Sequence, residues 1–205
     1  MLIFSFVTGI IIARRPLILG AGLAACPFKA CADDNEAFIA TTPTVRSLRY
    51  YGPIESKSLL SLNSILSDMA RQSDEPIHLH VQSGGGELLP ALYTSDLIAS
   101  LPLQVHTYVD GFCASAATLL TMAGDVRHMS KNSIFMIHQL STTQSGKYND
   151  LIQSLKNSDI LMEKLIDVYM KKSNFDLQTL KQLLTLDKYL DAETCLKHGL
   201  IDIID

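Results

Sequence analysis

None of the four cysteines, Cys26, Cys31, Cys113 and Cys195, forms a C-x-x-C pair, so the usual spacing for a zinc or redox centre is missing. Basic excess is missing too. Residues 1–32 hold Arg14, Arg15 and Lys29 and no acid, while the rest carries 14 basic and 21 acidic residues, a net of −7. That balance argues against nucleic acid as a partner. No uninterrupted apolar run reaches the roughly 20 residues that span a bilayer, because Arg14-Arg15 divides Met1–Ala13 from Pro16–Phe28. The glycine run Ser83-Gly84-Gly85-Gly86 has no Lys-Ser/Thr after it and lacks the dinucleotide-binding spacing, so it is not read as a phosphate loop. His78 and His80 share one strand face, but with no third ligand in view no metal is expected.

What is present is enough for one core: 205 residues, 47% of them hydrophobic. The start of the chain reads as a targeting segment. Arg14-Arg15 precedes an apolar stretch that ends in Ala30-Cys31-Ala32 before Asp33-Asp34, which resembles a signal peptide with its cleavage site. The twin arginines suit a Tat-type signal, and Leu23-Ala24-Ala25-Cys26 resembles a bacterial lipoprotein box. These features predict a leader over 1–32, a mature chain beginning between Cys26 and Asp33, and export to a periplasm, as a lipoprotein, or to an organelle. Residues 33–46 are polar and are expected to form a flexible arm. The globular domain is expected over 47–205.

Along that domain, apolar spacing alternates between the strand and the helical period. Leu48–Tyr51 reads as a strand, Ser56–Arg71 as a helix, Ile77–Val81 as a strand, Leu88–Ala99 as a helix, and Val105–Val109 as a strand running into the Ser115 turn. Ala114–Met122 follows as a helix, Ser133–Ile137 as a buried strand, and Ser141–Gly146 as a loop. Leu151, Leu155, Met162, Ile166 and Tyr169 predict a long helix with one buried stripe, and Asp191 and Gly199 bracket a last short helix. The alternation predicts an α/β domain with a mainly parallel sheet flanked by helices, whose strand ends present the chemistry.

The chemistry begins with Ser115, set among Gly111, Ala114, Ala116 and Ala117, and with His138 at the end of Ile134-Phe135-Met136-Ile137. A serine hydroxyl becomes a useful nucleophile when an imidazole takes its proton, and small neighbours let a substrate backbone reach it. The Gly-rich turn after the Ile77–Val81 strand is placed to let another chain approach, and the amides of Gly85 and Ala116 are candidates to hold an oxyanion. Asp187, Asp191 and Asp202 all compete as the carboxylate that would orient His138.

Taken in order, the Gly-rich turn, Gly111-x-x-Ala114-Ser115, Met136-Ile137-His138-Gln139, Gly146–Asp150, Leu186-Asp187-Lys188-Tyr189-Leu190 and Glu193–Asp202 resemble the proteolytic subunit of the Clp protease over about residues 47–205. The resemblance implies a ClpP/crotonase-like fold and a serine endopeptidase that degrades unfolded proteins for quality control. It makes Ser115 the nucleophile, His138 the base, Asp187 the orienting carboxylate, Gly85 and Ala116 the oxyanion donors, and Gly84 and Gly86 substrate-binding positions. It also implies stacked heptameric rings of this chain or paralogues, interlocked through Ser141–Lys172. Those rings would be fed by an AAA+ unfoldase that uses the ATP, leaving this chain without a cofactor. The family's default location is cytoplasmic, which conflicts with the leader. The sequence departs from the family at Gly84 (usually proline), Leu140 (usually proline) and Ala116 (often methionine). Three other readings are a weak or inactive structural subunit of such a ring, a Ser-Lys signal-peptide peptidase of related fold with Lys131 as base, and a crotonase-like acyl-CoA enzyme.

Overall fold

A computed structural model describes residues 37–42 and 46–205; the leader expected over 1–32, with its cleavage and lipidation sites, lies outside the described residues. In chain order the elements are β1 (Phe38–Thr42), β2 (Ser47–Tyr51), α1 (Ser56–Gln72), β3 (Ile77–Ser83), α2 (Leu88–Ser100), β4 (Val105–Ala114) and α3 (Ala117–Met122). Then follow β5 (Val126–Met129), β6 (Ile134–Met136), α4 (Tyr148–Lys172), α5 (Leu177–Leu184), β7 (Tyr189–Leu190), α6 (Ala192–Lys197) and β8 (Ile203–Ile204). The strands build one sheet in the order β1-β2-β3-β4-β5-β8, with β6 paired to both β4 and β7. β1–β2 and β6–β7 are antiparallel and every other pairing is parallel. The predicted α/β fold with a mainly parallel sheet flanked by helices is what forms.

Strand alternation decides the two faces. In β3, Ile77, Leu79 and Val81 are fully buried while His78 and His80 are only half-buried, and in β4 Val105, Thr107 and Val109 alternate in the same way with His106, Tyr108 and Asp110. The apolar face carries the core with α1, whose Leu59, Leu62 and Leu66 recur at helical spacing and are buried.

Three expectations change. The flexible arm expected over 33–46 contains β1, which closes the otherwise open edge of β2 in register from Phe38–Tyr51 to Thr42–Ser47 and packs Ile39 on the core. A polar segment can be a strand when a sheet edge supplies its hydrogen bonds. The helix expected from Ala114 begins at Ala117, because β4 continues through Gly111 to Ala114. Gly111 makes this continuity possible: at φ +75 it bends the strand, and its N–H donates to Ser133 Oγ (2.8 Å), whose hydroxyl donates to Val109 O (3.0 Å). Third, α4 does not bury one stripe along its length. Only Leu165 and Tyr169 are buried, while Tyr148, Leu151, Ile152, Leu155 and Ile160 in its first half are exposed.

Candidate active site

β6 is three residues long and organises the site. Its parallel register with β4 sets Ala114 beside Met136, and the next amide along β4, Ser115 N–H, donates to Met136 O (2.8 Å). On its other edge the antiparallel register with β7 pairs Met136 with Tyr189. Just past this pairing, two residues after Met136 and two before Tyr189, the side chains of His138 and Asp187 face each other. Three distant stretches of sequence are thus aligned by one short strand.

Ser115 Oγ lies 2.6 Å from His138 Nε2. For Nε2 to accept the serine proton, the imidazole must carry its own on Nδ1, and Nδ1 faces Asp187 Oδ1 at 3.6 Å. That separation is ion-pair contact, longer than a hydrogen bond. His138 is largely shielded (21% exposed) while Asp187 is open to solvent at 71%. The rival carboxylates are engaged elsewhere. Asp191 caps α6 by accepting from Thr194 N–H (2.8 Å), and Asp202 pairs with the Arg127 guanidinium (2.6 Å), whose hydrogen bond holds its carboxyl below the usual range. Lys131 sits in the turn after β5, its amide donating to Asp205 O (3.2 Å), and among the described residues it makes no hydrogen bond to Ser115, whose hydroxyl is paired with His138.

The serine's backbone is strained: Ser115 has φ +56, and Asp187 has φ +45. Such left-handed conformations in non-glycine residues cost about 1–3 kcal/mol each and persist only where the surroundings over-determine them. At Ser115 the constraint is traceable. Its carbonyl accepts from Thr118 N–H (3.0 Å) and from Thr118 Oγ1 (2.6 Å), and the Thr118 hydroxyl accepts in turn from Tyr169 Oη (2.7 Å). Burial pushes the Tyr169 phenol far above its ordinary value, so it stays a donor. Cys113, two residues before Ser115, is fully buried with its thiol pushed up to about 12, which makes it an inert core residue. Neither Thr118 nor Tyr169 stood out in the sequence, since one looks like an ordinary helix residue and the other like part of an apolar stripe.

Gly85, at φ +96, lies against the serine: a Cβ there would stand 2.6 Å from Ser115 Cβ and 2.8 Å from Ala114 O. Its amide, expected to be an oxyanion donor, instead donates to Ser83 Oγ (3.1 Å). Serving an oxyanion therefore requires exchanging or sharing that acceptor. Ala116, the other expected donor, stands at the N-cap of α3, only six residues long. Gly85 O and Glu87 N–H are bonded to Ile54 (2.9 and 2.8 Å), which fixes the Gly-rich segment as a short extended wall. Gly84, Gly86, Ser115, Ala116, His138 and Leu140 line one cleft of about 380 Å3. A larger polar depression of about 650 Å3 around Arg127 and Lys172 contains none of them.

Residues 37–205 match the Clp protease family. The chain belongs to that family. It is 31% identical over 160 residues to the ATP-dependent Clp protease proteolytic subunit of Deinococcus radiodurans, covering 75% of this chain and 77% of the relative. Among solved structures it is similar to a ClpP1 point mutant from Listeria monocytogenes, with a TM-score of 0.73 at 19% identity over 79% of this chain and 92% of that one, a likeness of fold. Membership of the Clp protease family supports a serine-protease role for the chain.

Proposed function

We propose that this Clp-family chain hydrolyses peptide bonds of unfolded proteins through an acyl-enzyme on Ser115. The observation that carries the reading is the 2.6 Å contact between Ser115 Oγ and His138 Nε2 at the mouth of the cleft. His138 takes the hydroxyl proton as Oγ attacks the scissile carbonyl, the C–N bond breaks as the imidazolium returns that proton to the leaving amine, and water enters by the same route to release the acid. Asp187 stabilises the imidazolium, and the amides of Gly85 and Ala116 stabilise the oxyanion once Gly85 leaves Ser83. Gly84 and Gly86 on one wall leave room for an extended peptide. We propose a leader over 1–32 and a peptidase domain over 47–205, to whose sheet edge the arm expected over 33–46 contributes β1.

Assembly into stacked rings is supported by α4, whose first half presents Tyr148 (77% exposed), Leu151, Ile152, Leu155 and Ile160 to solvent. Leu89 and Tyr93, one turn apart on α2, form a second apolar patch suited to a lateral contact. In such rings ATP is consumed by a partner unfoldase and not by this chain. The alternative of a weak or inactive subunit draws on two observations, the 3.6 Å gap at Asp187 and the occupied Gly85 amide. One experiment separates the two. A serine-directed fluorophosphonate should label the assembled protein at Ser115 and block cleavage of a fluorogenic peptide, with both lost in Ser115→Ala. Undiminished labelling of that variant refutes the nucleophile, and an unlabelled, inactive wild type refutes the peptidase in favour of the structural subunit.

A further inference from the structure

On the half-exposed face of the sheet, four histidines from three adjacent strands form a row with Tyr108. The parallel registers set His78 beside His106, His80 beside Tyr108, and Tyr108 beside His128. Tyr108 stacks on His80 and on His128, with ring centroids 4.3 Å away in each case, and the rings of His106 and His128 lie 5.6 Å apart at 24°. Carboxylates close both ends: Asp110 faces His80 Nδ1 (3.0 Å) and Asp205 faces His128 Nδ1 (3.1 Å).

We propose that His106 and His128 bind one borderline divalent cation of the zinc, nickel or copper class. His106 Nδ1 and His128 Nε2 stand 3.4 Å apart. That is long for a hydrogen bond between ring nitrogens. It is the separation of two imidazole ligands about 2.0–2.1 Å from a tetrahedral zinc, which places them about 3.3–3.4 Å from each other. The tautomer is right as well. With His128 Nδ1–H donating to Asp205 Oδ1, the Nε2 lone pair is left toward His106, the carboxylate–histidine arrangement that supports metal-ligating imidazoles.

His78 Nδ1 bonds Tyr108 Oη (2.8 Å) and His80 Nδ1 bonds Asp110, whereas the hydrogen-bonded pair of imidazoles among the described residues is His106 and His128. The site is therefore open, with two protein ligands and water in the remaining positions, and among the described residues no group of three or more His, Cys, Asp or Glu forms a closed centre. Asp110 and Asp205 supply the counter-charge. The pair differs from His78 and His80, which share one strand face and for which the sequence led to no metal being expected, and the site is independent of the chemistry at Ser115.

The test is isothermal titration of the tag-free full chain with zinc ion alone near pH 7.5. One equivalent per chain is expected, weakened at least about tenfold in His106→Gln and in His128→Gln, several-fold in Asp205→Asn, and lost near pH 5.5 as protons compete. His138→Gln, which removes the imidazole beside Ser115, should retain it. Affinity unchanged in both His106→Gln and His128→Gln overturns the proposal, as does binding lost only in His138→Gln. Should either ligand variant fail to fold, NMR of the histidine rings in the unmodified protein decides: zinc must shift the His106 and His128 resonances first, and shifts confined to other imidazoles reject the site.

Discussion

Along β4, the residues from Val105 to Val109 lie between β3 and β5, whereas those from Phe112 to Ala114 lie beside β6, with the bend at Gly111 between them. The first half is regular strand, and its half-exposed face lines up His106 and Tyr108 with His78, His80 and His128 of the neighbouring strands. The second half ends in one strained residue, Ser115, whose oxygen opens into a cleft. A strand interior held on both sides repeats its side chains at fixed spacing, which suits a shared ligand. A strand end is free to turn, so its backbone can hold a single atom in a conformation the chain would not otherwise adopt.

The largest effect expected from breaking this contrast is at Gly85. Gly85→Ala forces a Cβ against Ser115 Cβ and Ala114 O at a positive φ, and kcat/KM on a short fluorogenic peptide should fall about 100-fold or more. His80→Gln, in the array half, should leave it within about twofold of wild type. Equal losses in both would erase the distinction between the two halves. Thr118→Val tests the constraint on Ser115 itself. It strips the hydroxyl between Ser115 O and Tyr169 Oη and leaves a buried phenol unpaired, so chemical unfolding should show a loss of about 1–3 kcal/mol. If the link also positions the serine, kcat falls several-fold with KM little changed; a stability loss with kcat intact would restrict Thr118 to packing.

The smallest effect belongs to the array. His78 has its pKa lowered from 6.5, first by burial and then by its neighbouring imidazoles, so the unfolded chain binds this proton more readily than the folded one. Its contribution is intact above about 6.5 and declines as the pH falls through that value toward the lower folded one. Thermal melts between about pH 7.5 and 5.5, without added metal, should show a Tm drop of roughly 2 °C attributable to His78 and absent in His78→Gln. A Tm that rises on acidification contradicts the sign. The Asp202 carboxyl, held down by Arg127, loses its contribution only in a more acidic window, below the usual carboxylate range.

Much of this is legible in the sequence. Periodicity located α1, α2, β3 and the short strand before His138, and glycine and alanine around Ser115 marked where a substrate could approach. The carboxylate was not legible from spacing: Asp187, Asp191 and Asp202 are alike in sequence, and the resemblance alone singled out Asp187. Structure separates them by occupation, since one caps α6, one pairs with Arg127 and the third stands opposite His138. The course of β4 past Gly111 was missed because strand propensity does not reveal a change of neighbours. Spacing does not divide α4 into its exposed and buried halves, although the resemblance implied a ring contact over Ser141–Lys172, because a helical apolar stripe looks the same whether it meets its own core or another chain.

By itself, then, the amino-acid order determined the alternation of strands and helices, the polar and apolar faces, and the candidates for a nucleophile and a base, because these follow from local period and residue chemistry. Only the tertiary structure decided which carboxylate faces His138, what clamps Ser115 through Thr118 and Tyr169, and which two of the histidines stand close enough to share an ion. Each of those depends on register between strands and helices far apart in the chain, and register is set by the packing of the whole sheet, which no single stretch of sequence contains.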